Sequence, residues 1–231
     1  MAEAAAPNSA SSKPVLGYWK IRGLAQQIRY QLKFLGVDFE EVYYEQGESP
    51  DFSREEWLSK KDTLGLKFPN LPYFIDGDVK LTETNAIMKY IAHKWNSEHQ
   101  LLGTDPATMA QVEMVAGVVG DLKGAVTMPC YTSNDKSTIT ANLLVKVRPI
   151  VNYLADKQFL CGTDVTYVDF TMFELCELMQ FISDGQLFTD YPKLQSYCAR
   201  VKQLDGMNQY YHDVRACMKR PFNNKVAKIN N

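Results

Sequence analysis

Residues 14–44 read PVLGYWKIRGLAQQIRYQLKFLGVDFEEVYY, and this stretch decides the fold. Pro14–Trp19 is a short apolar run suited to a strand, and Gly23 breaks the chain after it. Leu24, Ile28, Leu32 and Leu35 then follow at intervals of four, four and three, which predicts one apolar helical face. Gly36 is placed to end that helix. Phe39–Tyr44 is aromatic and β-branched, so a second strand is expected. Strand, helix and strand in such close succession make a βαβ unit with parallel strands.

Working outward, residues 45–68 form a long polar connection with a short helix expected around Arg54–Lys61. FPNLPYFIDG at 68–77 then contains a third strand, Tyr73–Ile75. Asp76-Gly77-Asp78 is a hairpin signal, and Val79–Thr82 is the returning strand. Thr84-Asn85 opens a helix whose Ala86, Ile87, Tyr90 and Ile91 share a face. The order is βαβ-α-ββα, a small α/β module over residues 14–95.

After a linker at 96–105 the rhythm changes. Asp105-Pro106 caps and starts a helix, and helical runs are expected at 106–131, 137–156, 166–183 and 192–204. Thr166 and Asp169 have capping-box spacing, with Val165 and Phe170 as a hydrophobic staple, so Asp169 reads as a folding element. An all-α domain over 106–231 follows the α/β module. Residues 1–13, small and polar, are expected to be a disordered tail.

Composition narrows the function. The 231 residues carry a net charge of -2 with 45% hydrophobic residues, so a packed core is expected and a basic nucleic-acid surface is not. No apolar run approaches the ~18 residues of a membrane span, and the opening MAEAAAPNSASS has no signal-peptide pattern. Five cysteines without CxxC spacing suit a reducing compartment, and three histidines without metal-ligand spacing suggest no metal. These features favour a cytoplasmic protein.

The module order looks like the thioredoxin fold, which carries CxxC just after its first strand. Here that place holds Gly17-Tyr18-Trp19-Lys20, with no cysteine for dithiol exchange. From position alone Tyr18 is as readily a core tyrosine as a functional one. The surrounding motifs add weight. LGYWKIRGL at 16–24, GESPDFSREEWL at 47–58, LGLKFPNLPYFIDG at 64–77, TETNAIMKYIA at 82–92 and VTYVDF at 165–170 occur in family order and spacing. Together they resemble the mu class of cytosolic glutathione transferases.

The resemblance implies conjugation of glutathione to hydrophobic electrophiles, a detoxifying reaction. Glutathione enters as co-substrate, and no tightly bound cofactor is implied. The Tyr18 hydroxyl would donate a hydrogen bond to the glutathione thiolate. A cis bond before Pro72 would turn the Leu71 backbone toward the cysteinyl unit, beside Asn70. Thr84 and Glu83, at a helix start, would hold the γ-glutamyl carboxylate and ammonium. The mu pattern more often has Gln then Ser there, so Glu83-Thr84 departs from it and brings an added charge. Arg54, Trp57 and Lys61, whose i, i+3, i+7 spacing suggests one helical face, would meet the glycine carboxylate; by themselves they read as a solvated face.

Trp19 and Leu24 would wall the glutathione site, and Asp121 would reach across from a partner subunit. The electrophile would lie against Ile21, Tyr131 and Phe222. Tyr131 is otherwise simply a helix-end aromatic, and the RPFNNKVAKINN tail around Phe222 departs from the family pattern. Phe68, an aromatic in a polar loop, would key into a homodimer or fold under its own domain. Two other readings fit the same fold: a non-catalytic carrier of hydrophobic ligands, and a specialised glutathione-dependent isomerase.

Overall fold

The computed structural model describes residues 13–95, 100–217 and 225–230 of the chain. Four strands form one sheet: β1 (Val15–Trp19), β2 (Glu40–Tyr44), β3 (Tyr73–Asp76) and β4 (Val79–Thr82). Their order is β2-β1-β3-β4. β1 and β2 run parallel, with Tyr18 opposite Tyr43, as a right-handed βαβ crossover requires. β3 is antiparallel to both β1 and β4. The β3–β4 turn uses Gly77 at φ 59°, the conformation that the hairpin signal demands. Gly17 has no tolerable substitute on β1, because a Cβ there would lie 2.1 Å from the Tyr73 ring.

Three helices complete this half: α1 (Gln26–Phe34), α2 (Glu55–Leu58) and α3 (Thr84–Trp95). Helix α1 differs from the amphipathic expectation. Ile28 and Leu32 are fully buried, but so are Gln26, Gln27, Arg29 and Gln31. The cause is position, since α1 packs against α3 on one side and against the helical half on the other. Two of its buried polar side chains have partners on neighbouring elements: Arg29 Nε donates to Glu41 on β2 at 2.6 Å, and Gln31 Nε2 donates to the Met88 carbonyl at 2.9 Å. Leu24 lies outside this face. It sits in a one-turn 3-10 segment, Gly23–Ala25, and is 42% exposed.

Helix α2 is also shorter than expected. It ends at Leu58, and a separate 3-10 turn covers Lys61–Thr63. Arg54 caps α2 from outside, so Arg54, Trp57 and Lys61 do not share one helical face and the i, i+7 argument fails. Trp57 is buried, stacked on Tyr73 at 6.1 Å and edge-on to Tyr44 at 5.3 Å.

The second half is helical: α4 (Pro106–Thr132), α5 (Lys136–Leu154), α6 (Tyr167–Ile182), α7 (Gln186–Asp190), α8 (Pro192–Lys202) and α9 (Met207–Cys217). Asp105 caps α4 through the Ala107 N–H at 2.9 Å, with Pro106 in the first turn. Helix α6 is the central element, with apolar residues buried all round, among them Phe170, Met172, Phe173 and Cys176. Asp169 is fully buried and accepts from the N–H groups of Thr166 (2.8 Å) and Leu160 (2.9 Å) and from the Tyr197 hydroxyl (2.9 Å). It is a folding element, as its spacing predicts. The α7 and α9 segments carry no strong sequence pattern and were not anticipated. Lys13, assigned to the tail, is ordered enough to pair with Asp38 at 2.8 Å.

Candidate functional site at the junction of the two halves

The two halves enclose a cleft with two connected chambers. One is about 250 Å3 and is lined by Tyr18, Gly23 and Leu24 on the sheet side, and by Lys123, Thr127, Tyr131, Thr171, Glu174, Leu175 and Leu178 on the helical side. The other is about 370 Å3 and opens toward Gln27, Glu83, Thr84 and Asn85. Leu24, Lys123, Thr127 and Thr171 border both.

Tyr18 is buried near the end of β1, where strand alternation turns it away from Trp19 and toward the cleft. Its hydroxyl oxygen accepts a hydrogen bond from the Leu24 backbone N–H at 2.9 Å. Accepting there leaves its own O–H to donate into the chamber. Burial pushes the Tyr18 pKa up to about 12, against the lowering by the Leu24 bond, so the group is a neutral donor at physiological pH. Gly23 makes this geometry possible. It stands at φ 42°, and a Cβ on it would lie 2.6 Å from the Tyr18 hydroxyl.

At the α3 entrance Glu83 is exposed, at φ 69°, a left-handed conformation uncommon outside glycine. Its carbonyl accepts from the Ile87 N–H at 3.0 Å. The Thr84 hydroxyl donates to the Leu24 carbonyl at 3.4 Å, linking the helix start to the turn that holds Tyr18. The first turn of α3 therefore faces the larger chamber. Nearby, the Leu71–Pro72 bond is cis. The Leu71 N–H is engaged by the Asn70 side chain at 2.9 Å, a local bond the sequence did not foretell.

The structure thus brings Tyr18, Leu24, Glu83, Thr84 and Tyr131 to one cleft. Trp19 and Ile21 open instead onto a separate cavity of about 150 Å3 with Tyr44, Glu45, Gln46 and Lys225. Arg54, Lys61, Asn70, Leu71, Pro72 and Asp121 line neither chamber. Asp121 is exposed on α4, and Phe68 is 78% exposed, so it does not fold under its own domain. Phe222 lies outside the described residues.

Sequence reasoning missed most of the helical wall. Lys123 and Thr127 precede Tyr131 by eight and four residues, so they share its helical face; stepping back from Tyr131 in fours would have found them. Glu174 faces them from α6 and binds Arg22 at 2.6 Å, with side chains 8% and 1% exposed. Burial opposes the Arg22 charge, but the Glu174 carboxylate holds its pKa above the ordinary value. That ion pair fastens the two halves together beside the Tyr18 chamber.

The fold and site define a two-part class of protein: a thioredoxin-like sheet with a tyrosine hydroxyl at the end of its first strand, joined to a helical half across a cleft. Comparisons with known proteins agree. Residues 14–93 match the model of the glutathione S-transferase N-terminal domain, and residues 123–213 that of the C-terminal domain. A glutathione S-transferase of Tyrophagus putrescentiae is 38% identical, with 95% of this chain and 98% of that one covered. Glutathione S-transferase Mu 3 of Homo sapiens is 34% identical over 96% of this chain and 98% of its own. The crystal structure of the glutathione S-transferase Blo t 8 superposes with a TM-score of 0.82 at 28% identity, covering 94% of this chain and all of the other. The chain belongs to the glutathione S-transferase family, and its relatives include mu-class members.

Proposed function

We propose that this protein conjugates glutathione to hydrophobic electrophiles in the cleft between its halves, with Tyr18 holding the thiol as thiolate. The observation that carries the reading is the Tyr18 hydroxyl: anchored by the Leu24 N–H at 2.9 Å, kept protonated by burial, and facing the chamber. A free thiol has a pKa of ~8.5 and is mostly protonated at neutral pH. A fixed neutral donor lowers that value without competing for the proton.

The charged ends of glutathione then have separate anchors. The γ-glutamyl carboxylate suits the first-turn N–H groups of α3 at Thr84, and Glu83 suits its ammonium. The cysteinyl backbone pairs with Leu71 beside Asn70 and cis Pro72, which requires the Asn70 side chain to release the Leu71 N–H. Arg54 and Lys61 attract the glycine carboxylate from the two ends of the α2 segment, with the Trp57 edge between them. Trp19 supports the site from the far face of β1. The electrophile occupies the Tyr18–Tyr131 chamber. Asp121 completes the site of a neighbouring subunit in a homodimer keyed by Phe68, whose exposure calls for a cover. No helix among the described residues is long and apolar enough to cross a membrane, consistent with a cytoplasmic enzyme.

The test is glutathione-dependent turnover across a panel of halide, epoxide and enone electrophiles. Conjugation of at least one class, reduced about 100-fold or more in Tyr18→Phe, is expected. Binding of hydrophobic ligands with no turnover of any class would instead establish a carrier.

A further inference from the structure

Lys123 is the one strongly polar group of the helical wall with no hydrogen-bonded partner among the described residues. It projects from α4 on the face that also carries Thr127 and Tyr131, and it borders both chambers. Its nearest countercharge, Glu174, is already committed to Arg22 at 2.6 Å. Burial lowers the Lys123 pKa to about 8, with Glu174 opposing the shift, so the side chain is still mainly an ammonium at neutral pH. A half-buried ammonium in a chamber with Leu24, Leu175 and Leu178 costs stability, and folding gains no hydrogen bond from it. Such a group is better explained by a ligand.

We propose that Lys123 is a catalytic and specificity-determining residue for α,β-unsaturated carbonyl electrophiles, its ammonium receiving the oxygen that becomes anionic as the thiolate adds. The inference rests on the transferase reading given above. Tyr18 and Lys123 line the same chamber from opposite walls. A conjugated carbonyl spans such a gap, with its β-carbon toward the sulfur at Tyr18 and its oxygen toward Lys123. When the C–S bond forms, the C=C π pair shifts and the carbonyl π pair moves onto oxygen. Lys123 gives that oxygen a proton. The resulting enol becomes the ketone by taking a proton from water at its α-carbon and returning the oxygen's proton to the Lys123 amine. The proton that glutathione released to solvent on ionising balances the one taken from water. Stabilisation of this kind is largest in a site shielded from water.

A benzyl halide provides the comparison, because its departing halide ion needs no proton. The experiment measures kcat/KM for benzalacetone and for benzyl chloride in the full-length protein and in its Lys123→Met and Lys123→Arg variants. The expected result is an enone-to-halide ratio at least about tenfold lower in Lys123→Met, and a smaller fall in Lys123→Arg, whose guanidinium keeps the charge but does not give up a proton. An equal change with both electrophiles, or none, overturns the role of Lys123 while leaving the transferase reading intact. Turnover of benzyl chloride but not of benzalacetone by the unaltered protein would likewise overturn that role, and failure of every class of the electrophile panel would overturn the transferase reading itself.

Discussion

The two walls of the cleft hold their polar groups by different means. On the sheet side, Tyr18 is fixed by backbone: a strand position, the Leu24 N–H and the space left by Gly23. On the helical side, Lys123, Thr127, Tyr131, Thr171 and Glu174 project from α4 and α6, and the Glu174 charge is balanced by the Arg22 side chain. A backbone-built wall presents one donor at one place and changes little when neighbouring side chains change. A side-chain wall can be altered one residue at a time. The first suits the invariant thiol of a single co-substrate, and the second suits electrophiles that vary.

The largest expected effect lies where the walls are joined. Glu174→Ala leaves Arg22 as an unpaired buried charge and should cost about 3–5 kcal/mol in urea denaturation. A loss under about 1 kcal/mol would mean that apolar packing alone joins the halves.

A smaller effect tests the backbone-built wall. Gly23→Ala forces a Cβ into the space of the Tyr18 hydroxyl at a positive φ. Displacement of that hydroxyl should lower kcat with benzyl chloride about tenfold, in keeping with ~1–3 kcal/mol of backbone strain and misplacement, while the KM for benzyl chloride changes much less. Unchanged kcat would show that Tyr18 does not depend on this turn. The smallest effect lies outside the cleft. Phe68→Ser should weaken self-association by about 2 kcal/mol, read as a concentration-dependent shift toward monomer in sedimentation. A protein monomeric before the change would remove the subunit-bridging role of Asp121.

The same contrast explains what could be read from the sequence. Strands, hairpin and caps are contiguous signals. So β1 to β4, the Asp105 and Thr166–Asp169 caps and the position of Tyr18 follow from local patterns such as PVLGYW and YFIDGDVKLT. The helical wall is assembled from residues three to eight apart on α4 and α6, and no short motif marks it. Lys123 and Glu174 belong to no motif, because their burial depends on how the helices around the cleft pack. The buried glutamines and arginine of α1 were hidden for the same reason: periodicity reports one apolar face, and a helix buried on two sides has none to spare for solvent. Propensity also overstated α2, where the aromatic packing of Trp57 on Tyr73 holds a single helical turn in place of a longer helix.

The central claim is that Tyr18 stabilises the thiolate of bound glutathione, and titration of that thiol tests it most directly. The ultraviolet absorbance of the thiolate, followed against pH in the glutathione-saturated protein, gives its pKa. The Tyr18 proton is retained up to about 12, so the donor stays in place throughout the titration. The account predicts an ionisation at least about one unit below the free-thiol value of ~8.5, returning to that value in Tyr18→Phe although glutathione still binds. The same thiol pKa in both proteins would contradict it.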